Sequence, residues 1–208
     1  IDVDAAADRL GRIERDDAGY ILVSGLGMAV GVRIGEMEQL TVQLGGGDDI
    51  VGVDRSVAEP SAGSAGLTDL PKLAVSLDGG GGGDDYFIGT DQTGKSRITV
   101  ADTGAVDDGI DNLYVFGSDD PDVILVRATF VGVFDNRGAD IYDIDLDPAY
   151  QRVNYDGNIN GQIVIEGRNG DDQIFLDDTS SVLTVLAGGG DDRVQIGQIY
   201  QHLPPDLA

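Results

Sequence analysis

Apolar and polar residues alternate along most of this chain in short runs. In one run Leu40, Val42 and Leu44 alternate with polar residues, and 183–187 repeats the pattern with Leu, Val and Ala. Alternation with a period of two, in segments rich in Val, Ile, Leu, Phe and Tyr, indicates β-strands with one buried face. The chain is therefore predicted to be all-β.

Glycine and aspartate separate these runs in a recurring corner. The corner reads "LGGGDD" at 44–49, "GGGGDD" at 80–85, "GRNGDD" at 167–172 and "AGGGDD" at 187–192. Each copy lies between two alternating runs, and its glycines permit the positive φ angles that a sharp corner needs. The repeating unit is therefore a strand, a corner and a second strand.

Weaker copies of this unit occupy the middle of the chain, at 109–117, 119–127 and 138–147, and 56–66 has the composition of an inserted loop. The last two corners are about 20 residues apart, which is the length of one coil in a repeat that stacks along one axis. We predict a parallel β-solenoid, of the β-roll or β-helix type, with coils of roughly 20 residues and inserted loops.

The whole of 1–200 is predicted to form this single domain, with 1–38 as a less regular coil or hairpin. Residues 4–17 fit either a short amphipathic helix or part of a hairpin, and we favour strands. The proline-containing segment 201–208 is expected to be a tail. The chain begins with Ile1 and carries no apolar signal segment, so we expect it to be a piece of a longer protein.

The charge of the chain limits its partners. Its 208 residues carry 38 acidic and 13 basic side chains, a formal net charge of −25. Nucleic acids and anionic membrane surfaces are excluded as default partners because both require a basic surface. The absence of cysteine excludes disulfides and thiolate zinc sites.

Aspartate dominates the acidic residues, with 33 Asp against five Glu. Stacked coils would place equivalent aspartates about 4.8 Å apart, where two carboxylates repel by about 3.5 kcal/mol at an effective dielectric near 20. A hard cation that accepts carboxylate and carbonyl oxygens, such as Ca²⁺, would offset this repulsion. The candidate ligands are therefore the corner aspartates and glycines: Asp49, Asp85, Asp111, Asp122, Asp172 and Asp192, with Gly47, Gly83, Gly170 and Gly190.

The corners resemble the nonapeptide of the RTX (repeats-in-toxin) family, G-G-x-G-x-D-x-U-x, in which U is a large apolar residue. Gly47, Asp49 and Val51 fit its fourth, sixth and eighth positions, and the triplets Gly83/Asp85/Phe87, Gly109/Asp111/Leu113, Gly170/Asp172/Ile174 and Gly190/Asp192/Val194 fit likewise. Here the corners are single, whereas those of the family run in tandem.

This resemblance implies a calcium-stabilised β-roll in a secreted or cell-surface bacterial protein. Its partners would be calcium ions, neighbouring repeat modules of the same parent chain, and a cell-surface or polysaccharide ligand. The pair Asp172 and Asp192 is the strongest candidate for a shared ion, followed by Asp85 with Asp111.

Two other functions fit the same residues. One is a polysaccharide lyase or epimerase on a β-helix, for which Arg127, Arg152 and Arg168 are the only basic candidates in the middle coils. The other is a metal-free spacer whose aspartates cap local N–H groups. We expect a structural module and not an enzyme. The aromatic residues beside the corners are interpreted as stacked core in preference to a sugar platform: Tyr86, Phe87, Tyr114, Phe116 and Phe175.

Overall fold

The structure is a computed structural model that describes residues 10–57, 73–91, 96–105, 108–135 and 150–197. The weak copy at 138–147, the tail at 201–208 and most of the inserted loop at 56–66 lie outside these residues.

Sixteen β-strands and one short 3-10 turn (Arg55–Val57), with no α-helix, make up the regular structure of the described residues. The all-β prediction is therefore confirmed. The first sheet, sheet I, contains β1 (Leu10–Arg15), β2 (Ile21–Gly25), β3 (Val32–Ile34), β5 (Ile50–Val53), β7 (Asp85–Gly89), β9 (Asn112–Phe116), β13 (Gln162–Glu166) and β15 (Val182–Leu186). The second, sheet II, contains β4 (Gln39–Gly46), β6 (Ala74–Gly81), β8 (Arg97–Ala101), β10 (Asp122–Arg127), β11 (Phe130–Asp135), β12 (Gln151–Tyr155), β14 (Gln173–Leu176) and β16 (Arg193–Ile196).

Both sheets are mixed and open. The strand order is β15-β13-β9-β7-β5-β1-β2-β3 in sheet I and β16-β14-β10-β11-β12-β8-β6-β4 in sheet II. The pairs β1–β2, β2–β3, β10–β11 and β11–β12 are antiparallel, and the other neighbours are parallel. From β4 to β10 successive strands alternate between the two sheets, and the alternation resumes from β12.

The spacing between paired corners varies along the chain, as the prediction of inserted loops allows. Hydrogen-bonded equivalent corner residues are separated by 20 positions at Asp172 and Asp192, but by 35 at Asp49 and Asp84 and by 50 at Asp122 and Asp172. Part of the 50-residue separation is filled by the antiparallel hairpin of β10 and β11 and by β12. Whether the strands form a parallel solenoid stays a prediction.

The N-terminal segment forms a hairpin, as the interpretation in favour of strands expected. β1 and β2 pair antiparallel around the turn at 16–19. In this turn the Asp16 carboxylate accepts the N–H groups of Ala18 and Tyr20, each at 3.0 Å. Such capping of a turn by its own aspartate explains how the chain reverses between two apolar runs.

The core lies between the inward faces of the two sheets, where the alternating apolar residues meet. The largest hydrophobic cluster includes, among others, Ile13, Val42, Val51, Leu77, Ile88, Val100, Leu113, Val153, Ile165 and Ile174, each 2% exposed or less. Burial of such a side chain contributes about 1.5–3 kcal/mol. This packing positions the corners, because each corner joins a strand of one sheet to a strand of the other.

Glycine is required in the corners because neighbouring corners touch there through their backbones. Gly80 has a φ of +94°, and a Cβ on it would lie 1.9 Å from the carbonyl oxygen of Gly45. Positive φ recurs four and two residues before the corner aspartate in four corners, at the pairs Gly45/Gly47, Gly80/Gly82, Arg168/Gly170 and Gly188/Gly190.

Replacement of a corner glycine should therefore lower stability strongly only where φ is positive and a neighbouring backbone leaves no room for a Cβ. We expect Gly80→Ala to lower the free energy of unfolding by about 2 kcal/mol or more, since the left-handed backbone alone costs a residue with a Cβ about 1–2 kcal/mol. Gly46→Ala adds the same methyl group to the adjacent strand, where the only neighbour within 4 Å is the Gly81 carbonyl oxygen at 3.7 Å. Denaturant unfolding of both variants checks this, and equal losses would contradict the corner geometry.

Candidate functional site

Two ladders of aspartates run across the corners, one at the entrance to each sheet. In the first ladder the N–H of Asp49 donates to Oδ1 of Asp84 at 2.8 Å, and the N–H of Asp84 donates to Oδ1 of Asp111 at 2.9 Å. The N–H of Asp111 donates in turn to Oδ1 of Asn160 at 3.0 Å. Each of these side chains thus accepts a hydrogen bond from the backbone N–H of the aspartate before it in the row, which we call a rung of the ladder. The ladder ends at the uncharged side-chain amide of Asn160.

The second ladder is built in the same way at the entrance to sheet II. The N–H of Asp122 donates to Oδ1 of Asp172 at 2.8 Å, and that of Asp172 donates to Oδ1 of Asp192 at 3.0 Å. At the inner end the N–H of Ser118 donates to Oδ2 of Asp122 at 2.7 Å. The structure therefore brings together Asp172 and Asp192, as expected, and adds Asp122 to the same row.

The predicted equivalence of Asp85 with the other corner aspartates is wrong. The pairing of β5 with β7 places Ile50 opposite Asp85, so that Asp84 stands beside Asp49. Asp84 is fully buried, whereas Asp85 is half-buried and accepts a hydrogen bond from the Asn112 side chain at 2.9 Å. The five consecutive glycines at 79–83 permit more than one alignment, which is why the sequence pattern alone placed this corner one residue late.

The same one-residue difference corrects the glycine assignment at this corner. Gly82, with a φ of +121°, is the equivalent of Gly47, with a φ of +111°, and Gly83 is not. The other predicted corner glycines, Gly170 and Gly190, do have the positive φ that the pattern indicated.

The second carboxylate oxygen of the inner aspartates is enclosed by glycine. A Cβ on Gly79 would lie 2.0 Å from Oδ2 of Asp84, and one on Gly167 would lie 2.3 Å from Oδ2 of Asp172. These two oxygens, with Oδ2 of Asp111, are buried and have no hydrogen-bond donor among the described residues. A buried carboxylate oxygen without a donor is costly unless it carries a proton or meets a cation.

Burial accordingly raises the carboxylate pKa values in both ladders. Desolvation, reinforced by the charges of Asp49, Asp111 and Asp102, raises the pKa of Asp84 to about 7. Desolvation also raises the pKa of Asp111 to about 6, with Asp102 and Asp108 adding to the effect.

The second ladder shows the same effect. Desolvation raises the pKa of Asp122 to about 7, with a further contribution from Asp172. It also raises the pKa of Asp172 to about 6, with contributions from Asp192 and Asp171. The raised pKa values of Asp84 and Asp122 therefore lie close to neutral pH.

Asp102 is a member of the site that the sequence pattern did not indicate. It follows β8, is 4% exposed, and its carboxyl lies close enough to that of Asp111 for the two groups to affect each other's pKa. Burial raises its pKa as well, followed in effect by the charge of Asp108. Asp102 does not stand in a Gly-Asp-Asp corner, so only the pairing of β8 and β9 with their neighbours could reveal it.

The chemistry of these residues suits a hard cation only if backbone oxygens join the carboxylates. Within the described residues no three acidic or imidazole side chains converge closely enough to hold a metal ion between them. The donor-free oxygens of Asp84, Asp111 and Asp172 are suitable ligands, and carbonyl groups are ligands that calcium accepts. Each ion would then be held by one or two carboxylates and the corner backbone.

The arginines of the alternative enzymatic interpretation do not form one site. Arg127 pairs with Asp177 at 3.0 Å, and the guanidinium of Arg152 lies 3.9 Å from the ring centroid of Phe130, both on sheet II. Arg168 lies at a corner, 5.4 Å from the ring centroid of Phe116 on sheet I.

The aromatic residues divide between the two faces of the sheets. Tyr86 and Phe175 are buried, as predicted. Phe87, Tyr114 and Phe116 are only half-buried and stack on the outer face of sheet I, so the prediction that they belong to the core is wrong. The register explains the difference, because the inward positions of β7 are those of Tyr86 and Ile88.

No protein-family model, curated protein or solved structure matches this chain. Among the described residues no helix has the length and apolar character needed to span a membrane.

The raised pKa values predict that stability falls as pH rises when no divalent cation is present. Below about pH 4 the carboxyls of Asp84, Asp111, Asp122 and Asp172 are protonated in the folded and unfolded protein alike, and between about 4 and 7 only the folded protein retains these protons. Stability is thus lost through this interval and levels off above it. We expect Asp84→Asn, which mimics the protonated acid, to gain about 2 kcal/mol relative to wild type between pH 5 and pH 8.5.

Urea unfolding at several pH values in a chelator measures this gain. Asp17→Asn removes a charge from an exposed turn and serves as the matched control. If the free energies of unfolding of wild type and Asp84→Asn changed with pH in parallel, Asp84 would not be the group that binds the proton.

Proposed function

We propose that this chain is a calcium-responsive structural module of an extracellular protein, whose strands coil as an irregular parallel solenoid. The observation that carries the proposal is the pair of ladders, in which consecutive coils bury carboxylates with donor-free oxygens. A cation bound at a corner would attract the carboxylates that otherwise repel one another, and it would thereby hold consecutive coils together.

The coiled arrangement is supported by the strand pairing. Strands alternate between the sheets over long stretches, and equivalent corner residues pair in register from coil to coil, as in Asp122 with Asp172 and Asp172 with Asp192. The hairpins of β1–β3 and β10–β12 would be insertions that change the length of a coil without changing its stacking direction.

The ladders would respond to the surroundings through two competing ligands, protons and calcium. When bound, calcium supplies positive charge at the corners, and the carboxylates of Asp84, Asp111 and Asp172 would then stay ionised at neutral pH. In a calcium-poor compartment the same groups would hold protons or repel one another. A compartment rich in calcium is thus where this module would be rigid, which is why we place it outside the cell or on its surface.

Calcium should therefore raise the melting temperature at pH 8, and magnesium should do so much less. A ligand that binds only the folded protein adds about 2.7 kcal/mol per site at a concentration of 100 Kd. For a protein of this size that corresponds to roughly 5–10 °C. Thermal unfolding followed by circular dichroism in chelator, in millimolar magnesium and in millimolar calcium measures the effect.

Variants of the ladders test where the ion acts. Asp84→Asn and Asp172→Asn should each reduce the calcium-induced shift, whereas Asp17→Asn should leave it unchanged. A metal-free spacer is the competing function, favoured by the fact that each ladder carboxylate already accepts a backbone N–H. Melting curves that are the same in chelator and in calcium would establish the spacer and refute the calcium proposal.

A further inference from the structure

The outer face of sheet I carries an aromatic stack with a missing member. The rings of Phe87 and Tyr114, which are direct partners on β7 and β9, lie 4.5 Å apart and within 2° of parallel. The residue opposite Phe87 on its other side, on β5, is Gly52. One face of Phe87 is thus covered by Tyr114, and the other faces the space above Gly52.

That space is part of a cavity of about 550 Å³. Phe87 and Phe116 form one side of the cavity, and Arg12, Ser24 and Asp54 contribute to its lining from β1, β2 and the end of β5. One wall is therefore aromatic, and the other offers a guanidinium, a hydroxyl and a carboxylate. A cavity of this volume lies in the range of sites that bind small organic ligands.

Gly52 has no structural need to be glycine. It lies inside β5 with no positive φ, and a Cβ on it would meet nothing nearer than backbone oxygens at 3.9 Å. Glycine weakens a strand interior, and its presence there marks places where a ligand or another backbone comes close. Gly52 thus leaves the space beside the Phe87 ring unfilled, although a residue with a side chain would make β5 more stable.

Arg168, which lines the same cavity, has a backbone conformation that normally favours glycine. It has a φ of +78°, whereas Gly45, Gly80 and Gly188 fill the equivalent position in other corners. Its guanidinium lines the cavity near Phe116 and has no carboxylate within ion-pair distance among the described residues. An unfavourable backbone conformation held by a non-glycine residue is characteristic of functional sites.

Two further arginines reach the cavity. Arg55 meets Asp119 only at 3.7 Å, with both side chains exposed, and Arg12 pairs with Glu14 and Asp54. The chain carries 13 basic residues against 38 acids, and three of those 13 line this cavity. Glu14, Asp54 and Asp119 offset Arg12 and Arg55, so Arg168 supplies the positive charge at the cavity that has no carboxylate partner among the described residues.

We propose that this cavity binds a sugar-acid ring of an acidic polysaccharide. The apolar face of a pyranose ring would stack on Phe87 above Gly52, and its hydroxyl groups would bond Ser24 and Asp54. The carboxylate of the sugar would pair with Arg168 and Arg55, which can bind it in bidentate fashion. An aromatic ring would also fit the stack, but it lacks the several ring hydroxyl groups of a sugar that Ser24 and Asp54 could bond.

Binding of trigalacturonate, measured by isothermal titration calorimetry with the whole chain in calcium, tests this proposal. We expect saturable binding that is at least about tenfold tighter than that of the neutral galactose trimer with the same linkage. Gly52→Val should abolish binding because its side chain fills the space beside Phe87, and the melting temperature should not fall because the added Cβ meets nothing nearer than 3.9 Å. Arg168→Gly should weaken binding at least about tenfold, again without loss of stability.

The controls separate this site from the ladders and from general charge effects. Thr184→Val places the same side chain in the same row of sheet I outside the cavity, and Arg193→Gln removes one positive charge on β16. Asp84→Asn alters a ladder corner and should bind trigalacturonate like wild type.

Several results would overturn the proposal: no binding at millimolar trigalacturonate, equal affinity for the neutral trimer, wild-type affinity in Gly52→Val, or binding of 4-hydroxybenzoate in place of the saccharide. None of these depends on whether calcium stabilises the fold.

Discussion

The hydrogen bond from the backbone of one corner aspartate to the carboxylate of the next sets the geometry of this protein. It joins one corner to the corner beside it at N–O distances of 2.8–3.0 Å, as at Asp49 with Asp84 and Asp172 with Asp192. The bond requires the carboxylate to leave solvent and lie under the corner backbone. Every later feature of the site follows from that burial: the glycines, the raised pKa values and the suitability for a cation.

Glycine and aspartate are thus coupled in the corner. Gly167 leaves room for Oδ2 of Asp172, and Gly170 provides the positive φ that turns the chain toward the next strand. Where the first of these positions is not glycine, as at Ala187, the aspartate of that corner, Asp192, is only partly buried. Asp49, which follows Leu44 at that position, is nevertheless buried, so this residue does not by itself set the depth of the carboxylate.

The fold class and most ladder positions could be predicted because alternation and the Gly-Asp corner are local patterns. Asp49, Asp111, Asp122, Asp172 and Asp192 are rungs of the ladders, as their position before an apolar alternation indicated. Asp84 was missed because five glycines allow the corner to shift by one residue. The alternation in β7 indicates the correct alignment. If Phe87 and Gly89 faced inward in place of Tyr86 and Ile88, Gly89 would leave a gap in the core.

Features that depend on pairing between distant strands could not be read from the sequence. Asp102 joins the first ladder only because β8 and β9 bring it to Asp111, and Asn160 ends that ladder from 49 residues further along the chain. The spacing between paired corners could not be read from the sequence for a related reason, since the 50 residues between Asp122 and Asp172 include β11 and β12 as well as the strands of the repeating unit.

The two faces of the sheets place opposite demands on the same repeating unit. Inside, apolar residues fill the core, and glycine takes most of the corner positions at which φ is positive and the backbones touch. On the outer face of sheet I, Gly52 and Arg168 do the reverse, since one is a glycine where a side chain would fit and the other a side chain where glycine would be relaxed. Stability alone would favour a residue with a side chain in place of Gly52 and a glycine in place of Arg168. Both departures border one cavity, beside an aromatic stack that stops one ring short, and recognition of a ligand is the demand that explains them together.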